Sequence, residues 1–203
     1  MTSPPSFVPE TTPPFTEDDV SKIPAVALLM KLGYQYLLPK ETLKLRGGRR
    51  SSVILFGVLE QQLRKMNRIW FRGEEVPFTE GNIAEAIRVL RDMDDDGLVR
   101  TNEKLWELLR LGKALPQTIQ GDTKSFTLQY IDWERPENNV YHVTDEFVVE
   151  ASGTTDTRRP DIVLFVNGIP FSVIECKRPG LPVGQDPIEE AISQQIRDRK
   201  SVV

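Results

Sequence analysis

Residues 158–179 read RRPDIVLFVNGIPFSVIECKRP, two apolar runs around an Asn-Gly with charged residues only at the outer ends. Asn-Gly suits the two-residue turn of a β-hairpin, because both central residues of that turn take positive φ. With such a turn Val166 faces Ile169, and Asp161 falls opposite Ile174, one step from Glu175. A loop one residue longer sets Asp161 directly opposite Glu175. Pro170 cannot donate to the ladder, which argues for a turn wider than the ideal one. Either register makes the two carboxylates neighbours, at a cross-strand Cα spacing of roughly 4.5–5.5 Å. Glu175 and Lys177 are two apart and share a face, while Cys176 points the other way with Ile174. The strand interiors, IVLFV and FSVI, are apolar on both faces, the pattern of strands covered on both sides.

Two carboxylates and a lysine at the end of a buried pair suit one chemistry. Hard oxygen ligands bind Mg²⁺. The bound ion activates a water and neutralises charge on a phosphodiester. A lysine orients or deprotonates that water, or stabilises the developing phosphorane. The competing reading is plain surface charge, since Asp, Glu and Lys are common at strand ends and an isolated D-x(n)-E-x-K is a weak pattern.

Composition narrows the choice. The chain has 203 residues, one histidine and one cysteine. Cys176 therefore excludes an intrachain disulfide, and a Cys/His zinc site is disfavoured. No apolar run approaches a membrane span, and MTSPPSFVPE lacks the basic-then-apolar layout of a signal peptide, so a cytoplasmic setting without membrane contact is expected. The formal charge of −4 is not that of a self-sufficient nucleic-acid binder. Local basic clusters exist nonetheless: RGGRR at 46–50, RR at 158–159 and RDRK at 197–200.

Residues 1–15 hold five prolines and read as a disordered arm. Residues 16–203 read as one domain: helical over 16–115, strand-rich over 120–180, and helical again over 186–199. In the last segment Asp186 is the N-cap, Pro187 the first helical residue and Glu189 the reciprocal cap. SSVILFGVLEQQLRKMN, FTEGNIAEAIRVLRDMD and TNEKLWELLRLG carry helical periodicity. SFTLQYIDW, YHVTDEFVVE, DIVLFVN and FSVIECK read as four consecutive strands. The expected fold is α/β, with a mixed, largely antiparallel sheet of four to five strands flanked by helices. The final amphipathic helix has no closing strand after it, which suggests a piece of a longer chain.

RRPDIVLFVNGIPFSVIECKRPG closely resembles the PD-(D/E)xK signature of the R (restriction) subunit of type I restriction–modification enzymes. LQYIDWERPENNVYHVTDEFVV resembles that family's Asp-Trp-x-x-Pro-x-x-Asn stretch, and EEAISQQIR and ALLMKLGYQYL fit the same N-terminal nuclease domain. The resemblance implies a restriction-endonuclease-like core and a Mg²⁺-dependent DNA endonuclease, with Mn²⁺ as a substitute ion. Asp161 and Glu175 match the metal-binding carboxylates and Lys177 the catalytic lysine. Cys176 stands where the family often has Leu. Its backbone carbonyl is the implied third metal ligand, and its side chain reads as packing. Glu60 is a candidate for the acidic residue that many such nucleases carry on the first core helix. Gln194 matches the Gln of a Gln-x-x-x-Tyr motif, although Asp198 replaces the Tyr and Gln195 is an alternative match. Arg158 and Arg159 are candidate phosphate contacts, and His142 reads as structural.

The resemblance further implies double-stranded DNA and the modification and specificity subunits as partners. ATP belongs only to the full-length subunit, because no Gly-x-x-x-x-Gly-Lys-Ser/Thr occurs here. Two alternatives stay open: a repair or recombination nuclease of the same superfamily, and a non-catalytic docking module.

Overall fold

The computed structural model describes residues 21–150 and 157–176, and within them three hairpins turn in the same way. The first joins β2 (Arg68–Phe71) to β3 (Glu74–Pro77), the second β4 (Lys113–Ile119) to β5 (Asp122–Leu128), and the third β9 (Ile162–Val166) to β10 (Ile169–Ile174). Each turn is a residue-Gly pair with both φ positive: Arg72-Gly73 at 48° and 87°, Gln120-Gly121 at 51° and 82°, Asn167-Gly168 at 52° and 82°. That backbone twist matches the right-handed twist of the flanking strands.

Five helices complete the frame: α1 (Ile23–Lys31), α2 (Pro39–Leu45), α3 (Phe56–Met66), α4 (Glu80–Arg91) and α5 (Leu98–Leu111). Three further strands are β1 (Gln35–Tyr36), β6 (Tyr141–Asp145) and β7 (Val149–Glu150), and β8 (Thr157–Arg158) pairs with β7. The central sheet has four strands in the order β1-β6-β9-β10. β1 runs parallel to β6, and the other two pairings are antiparallel. The molecule is thus α/β with a mixed sheet flanked by helices.

The inner strands β6 and β9 are covered on both faces, whereas the edge strand β10, expected to be covered as well, leaves Phe171, Ser172 and Val173 exposed. On one face Val143, Ile162 and Cys176 pack with Ala25, Val26 and Leu29 of α1. On the other, Val163 and Phe165 pack with Leu55 and Val58 at the start of α3, Leu45 of α2, and Phe147. A larger cluster joins Leu59 and Leu63 of α3 to Ile83, Ala86 and Leu90 of α4, the two outer hairpins and the turn residues Val166 and Ile169. Each such fully buried side chain contributes about 1.5–3 kcal/mol.

Three expectations need correction. The span 16–115 is not uniformly helical. RIWFRGEEVP forms β2 and β3, where Ile69 and Phe71 are buried and Arg68 and Trp70 exposed, an alternation too short to dominate its helical neighbours. The strand expected at SFTLQYIDW is β5, which pairs with β4 rather than joining the central sheet. YHVTDEFVVE is not one strand but breaks at Glu146, whose φ is 51°. The arm 1–15, Lys177 and the 186–199 helix lie outside the described residues. Among those residues no helix is long and apolar enough to cross a membrane.

Candidate active site

The hairpin that carries the two carboxylates is fixed first at its turn. Asn167 is fully buried. Its Nδ2 donates to the Tyr130 carbonyl at 2.9 Å and to Asn139 Oδ1 at 2.8 Å, and its Oδ1 accepts the Val140 N–H at 2.9 Å. Asn139 Oδ1 also accepts the Asp132 N–H, while Asn139 Nδ2 donates back to the Asp132 carbonyl. Asp132 closes the loop. Its carboxylate accepts the backbone N–H groups of Glu134 and Arg135 and the Asn138 amide. The Asn138 hydrogen bond is the main cause holding the Asp132 carboxyl below the usual range, with the Arg135 and Glu134 N–H groups adding to it. Trp133 Nε1 donates to the Leu109 carbonyl. The Asp-Trp-x-x-Pro-x-x-Asn stretch is therefore the socket of the Asn-Gly turn. Gly168 completes it, for a Cβ there would lie 2.6 Å from the Leu55 carbonyl oxygen.

From this anchor the register runs out to the charged end. Val166 faces Ile169 and Phe165 faces Pro170, as a two-residue turn dictates. A bulge between Pro170 and Ser172 then advances the pairing by one, so Leu164 faces Ser172, Val163 faces Val173 and Ile162 faces Ile174. The extra residue sits in the strand and not in the loop. The ladder ends at the Ile162–Ile174 pair, and Asp161 and Glu175 are the next residues beyond it on the two segments. Cys176 is buried at 6 % exposure beside Ile162 and Ile174. Asp161 Oδ2 accepts the Cys176 N–H at 2.8 Å, which ties the carboxylate to the neighbouring strand.

Around Asp161 the sequence left a group unassigned. Glu146 donates its N–H to the Asp161 carbonyl at 3.2 Å. Its carboxylate bridges Lys22 Nζ at 2.7 Å and Arg159 Nη1 at 2.6 Å. Beside it, Tyr36 OH donates to Asp145 Oδ1 at 2.6 Å, and burial, followed by that bond, pushes the phenol up to about 12. The signal for this group was the pair of acidic residues interrupting YHVTDEFVVE. Arg158 lies in β8, opposite Val149. Of the RGGRR loop, Arg46 is buried, donates to the Ser52 and Val148 carbonyls and lies 4.1 Å from the Phe147 ring centroid, whereas Arg49 and Arg50 are exposed.

Glu60 is not brought to the carboxylates. It pairs with Arg64, one turn along α3, at 2.5 Å, and Arg64 also holds Glu80 of α4. The start of α3 abuts Gly168, at the opposite end of the hairpin from Asp161. His142 is buried in β6, and burial holds its imidazole below the ordinary value. Lys177 and Gln194 lie outside the described residues.

The donor set decides which ion fits. Among the described residues no three His, Cys, Asp or Glu side chains converge. Two carboxylates and a backbone carbonyl are hard donors, and Mg²⁺ takes one or two carboxylates and keeps several waters. A carboxylate holding one N–H retains lone pairs for another ligand. By type these donors suit Mg²⁺ better than a thiolate- or imidazole-seeking metal.

Comparison with known proteins gives a family for the chain. A family model described as the type I restriction enzyme R protein N terminus matches residues 14–202. The type I restriction enzyme HindI endonuclease subunit of Haemophilus influenzae is 28% identical over 167 residues, covering 80% of this chain and 15% of that protein. A Methanocaldococcus jannaschii protein, provisionally named as a type I restriction enzyme MjaIXP endonuclease subunit, is 28% identical over 166 residues with the same coverage. The chain thus spans about 15% of the length of these relatives. No solved structure matches it.

Proposed function

We infer, since this chain belongs to the family of type I restriction enzyme R protein N termini, that it is the DNA-cleaving domain of such an enzyme's endonuclease subunit. The observation that carries this reading is the Asp161 carboxylate fixed on the Cys176 N–H, in a register that leads to Glu175. The domain is read as a restriction-endonuclease-like core. Asp161, Glu175 and the Cys176 carbonyl would hold Mg²⁺, or Mn²⁺ in its place, whose contribution is to acidify a water and neutralise phosphate charge. Lys177, which matches the family's catalytic lysine, orients that water and stabilises the charge developing on phosphorus. Asp161 comes pre-aimed, because its side chain and its carbonyl are each hydrogen-bonded to a different neighbouring segment.

DNA delivery and ATP hydrolysis belong, on this reading, to the rest of the subunit, and target choice to the modification and specificity subunits. Arg158, Arg159 and Gln194 serve as phosphate contacts that position double-stranded DNA without reading its sequence. The test uses the assembled enzyme. Asp161→Ala and Lys177→Ala are expected to keep DNA-stimulated ATP hydrolysis and lose cleavage. Normal cleavage by either variant would sink the assignment and leave the docking-module reading.

A further inference from the structure

We propose that Glu146 is the positioning residue of the Asp161 carboxylate, an inference that deepens the nuclease reading and rests on it for its functional meaning. Glu146 sits where β6 ends, one step past the Asp145–Ile162 pair, and so falls opposite Asp161. Its backbone takes φ 51°, a left-handed conformation disfavoured for a residue with a Cβ and retained only where the surroundings hold it. That turn withdraws its side chain from the strand alternation. One carboxylate oxygen reaches Lys22, 7 % exposed, and the other reaches Arg159.

The arrangement constrains Asp161 from upstream. Arg159 is separated from Asp161 only by Pro160, whose ring fixes φ. Holding the Arg159 guanidinium while accepting no slack at Pro160 limits how the Asp161 Cα can rotate. The Glu146 N–H on the Asp161 carbonyl removes a second freedom. The side-chain torsion is set by the Cys176 N–H. Lys22 lies just before α1, so its bond to Glu146 also fastens the start of that helix to the same corner. Glu146 touches neither reacting atoms nor metal on this account. It acts through Asp161.

Amide hydrogen exchange in the 203-residue chain tests this without activity. In Glu146→Gln and in Arg159→Met, the latter at a well-exposed side chain, the Cys176 amide is expected to exchange about tenfold faster while β6–β9 ladder amides keep their rates. Mn²⁺ titration of the same variants is expected to show binding about tenfold weaker than wild type, the size typical of a residue that orients a ligand. An unchanged Cys176 rate in both variants overturns the proposal. So does an equal acceleration of the whole ladder, which is what a merely structural role would give. Failure of the nuclease reading looks different: wild type would then bind no Mn²⁺, or Asp161→Ala would bind it normally.

Discussion

Replacing Asn167 with Ala removes the fastening between the site hairpin and its socket. The hydrogen bonds to Tyr130, Asn139 and Val140 go, and the Tyr130 carbonyl and the Val140 N–H lose their partner, while Asn139 Oδ1 keeps the Asp132 N–H. Tyr130 is fully buried and Asn139 nearly so, so water does not readily replace the amide. Each buried group left unsatisfied costs about 1–3 kcal/mol. Alanine at φ 52° adds roughly 1 kcal/mol. Neighbouring losses share relaxation and do not add in full, so the low end of each range applies, and the total is about 3 kcal/mol. With a urea m-value of about 2 kcal/mol/M, the unfolding midpoint falls by about 1.5 M. A fall under about 0.5 M would refute the view that Asn167 anchors the hairpin. Asn167→Asp sharpens the test. It keeps an acceptor for Val140 but turns a carboxylate toward two oxygens, and near neutral pH it is expected to be at least as damaging as Ala.

Three further outcomes follow from the same geometry. Gly168→Ala places a Cβ 2.6 Å from the Leu55 oxygen at φ +82°, and is expected to lower the stability measured by urea unfolding by at least as much as a core truncation, about 2–5 kcal/mol; a change under about 1 kcal/mol would contradict the close approach. Burial depresses the His142 pKa, so the unfolded chain binds that proton first and stability is lost as pH falls below the unfolded value of about 6.5. Urea midpoints at pH 7.5 and 5.5 are expected to separate more in wild type than in His142→Gln, and equal separations would remove His142 as a source. Cys176→Ala in the assembled enzyme is expected to retain cleavage, because the backbone N–H that holds Asp161 is untouched; loss of cleavage in a folded variant would return a chemical role to the thiol.

The hairpin was legible because its signals are local. Asn-Gly demands the turn, and the doubly apolar IVLFV demands the cover that β9 has on both sides, although the same reading of FSVI fails at the exposed edge strand. What local signals could not supply was the place of the extra residue. Pro170 argued for a wider turn, yet the socket around Asn167 holds the turn tight and the irregularity moves one step into β10. Glu146 escaped because its partners, Lys22 and Arg159, lie 124 and 13 positions away in sequence, and no periodicity links them. Glu60 is a different case: a carboxylate on a core helix matched a role by type, and the structure pairs it with Arg64 one turn away.

The bulge at Phe171 has a consequence for how this strand can vary. Wild type has two ways to close the hairpin. A ladder without the bulge would pair Asp161 with Ile174, turn Glu175 to the α1 side and expose Cys176 on the other. Burial of Ile162, Ile174 and Cys176 beneath α1 selects the bulged alternative. Deleting Phe171, itself 48 % exposed, leaves only one alignment, because Ser172 then follows Pro170 and meets Leu164 without any offset. A one-residue loss in the very strand that carries Glu175 is thus the length change this site absorbs best, whereas an insertion between Ser172 and Glu175 separates the two carboxylates onto opposite faces.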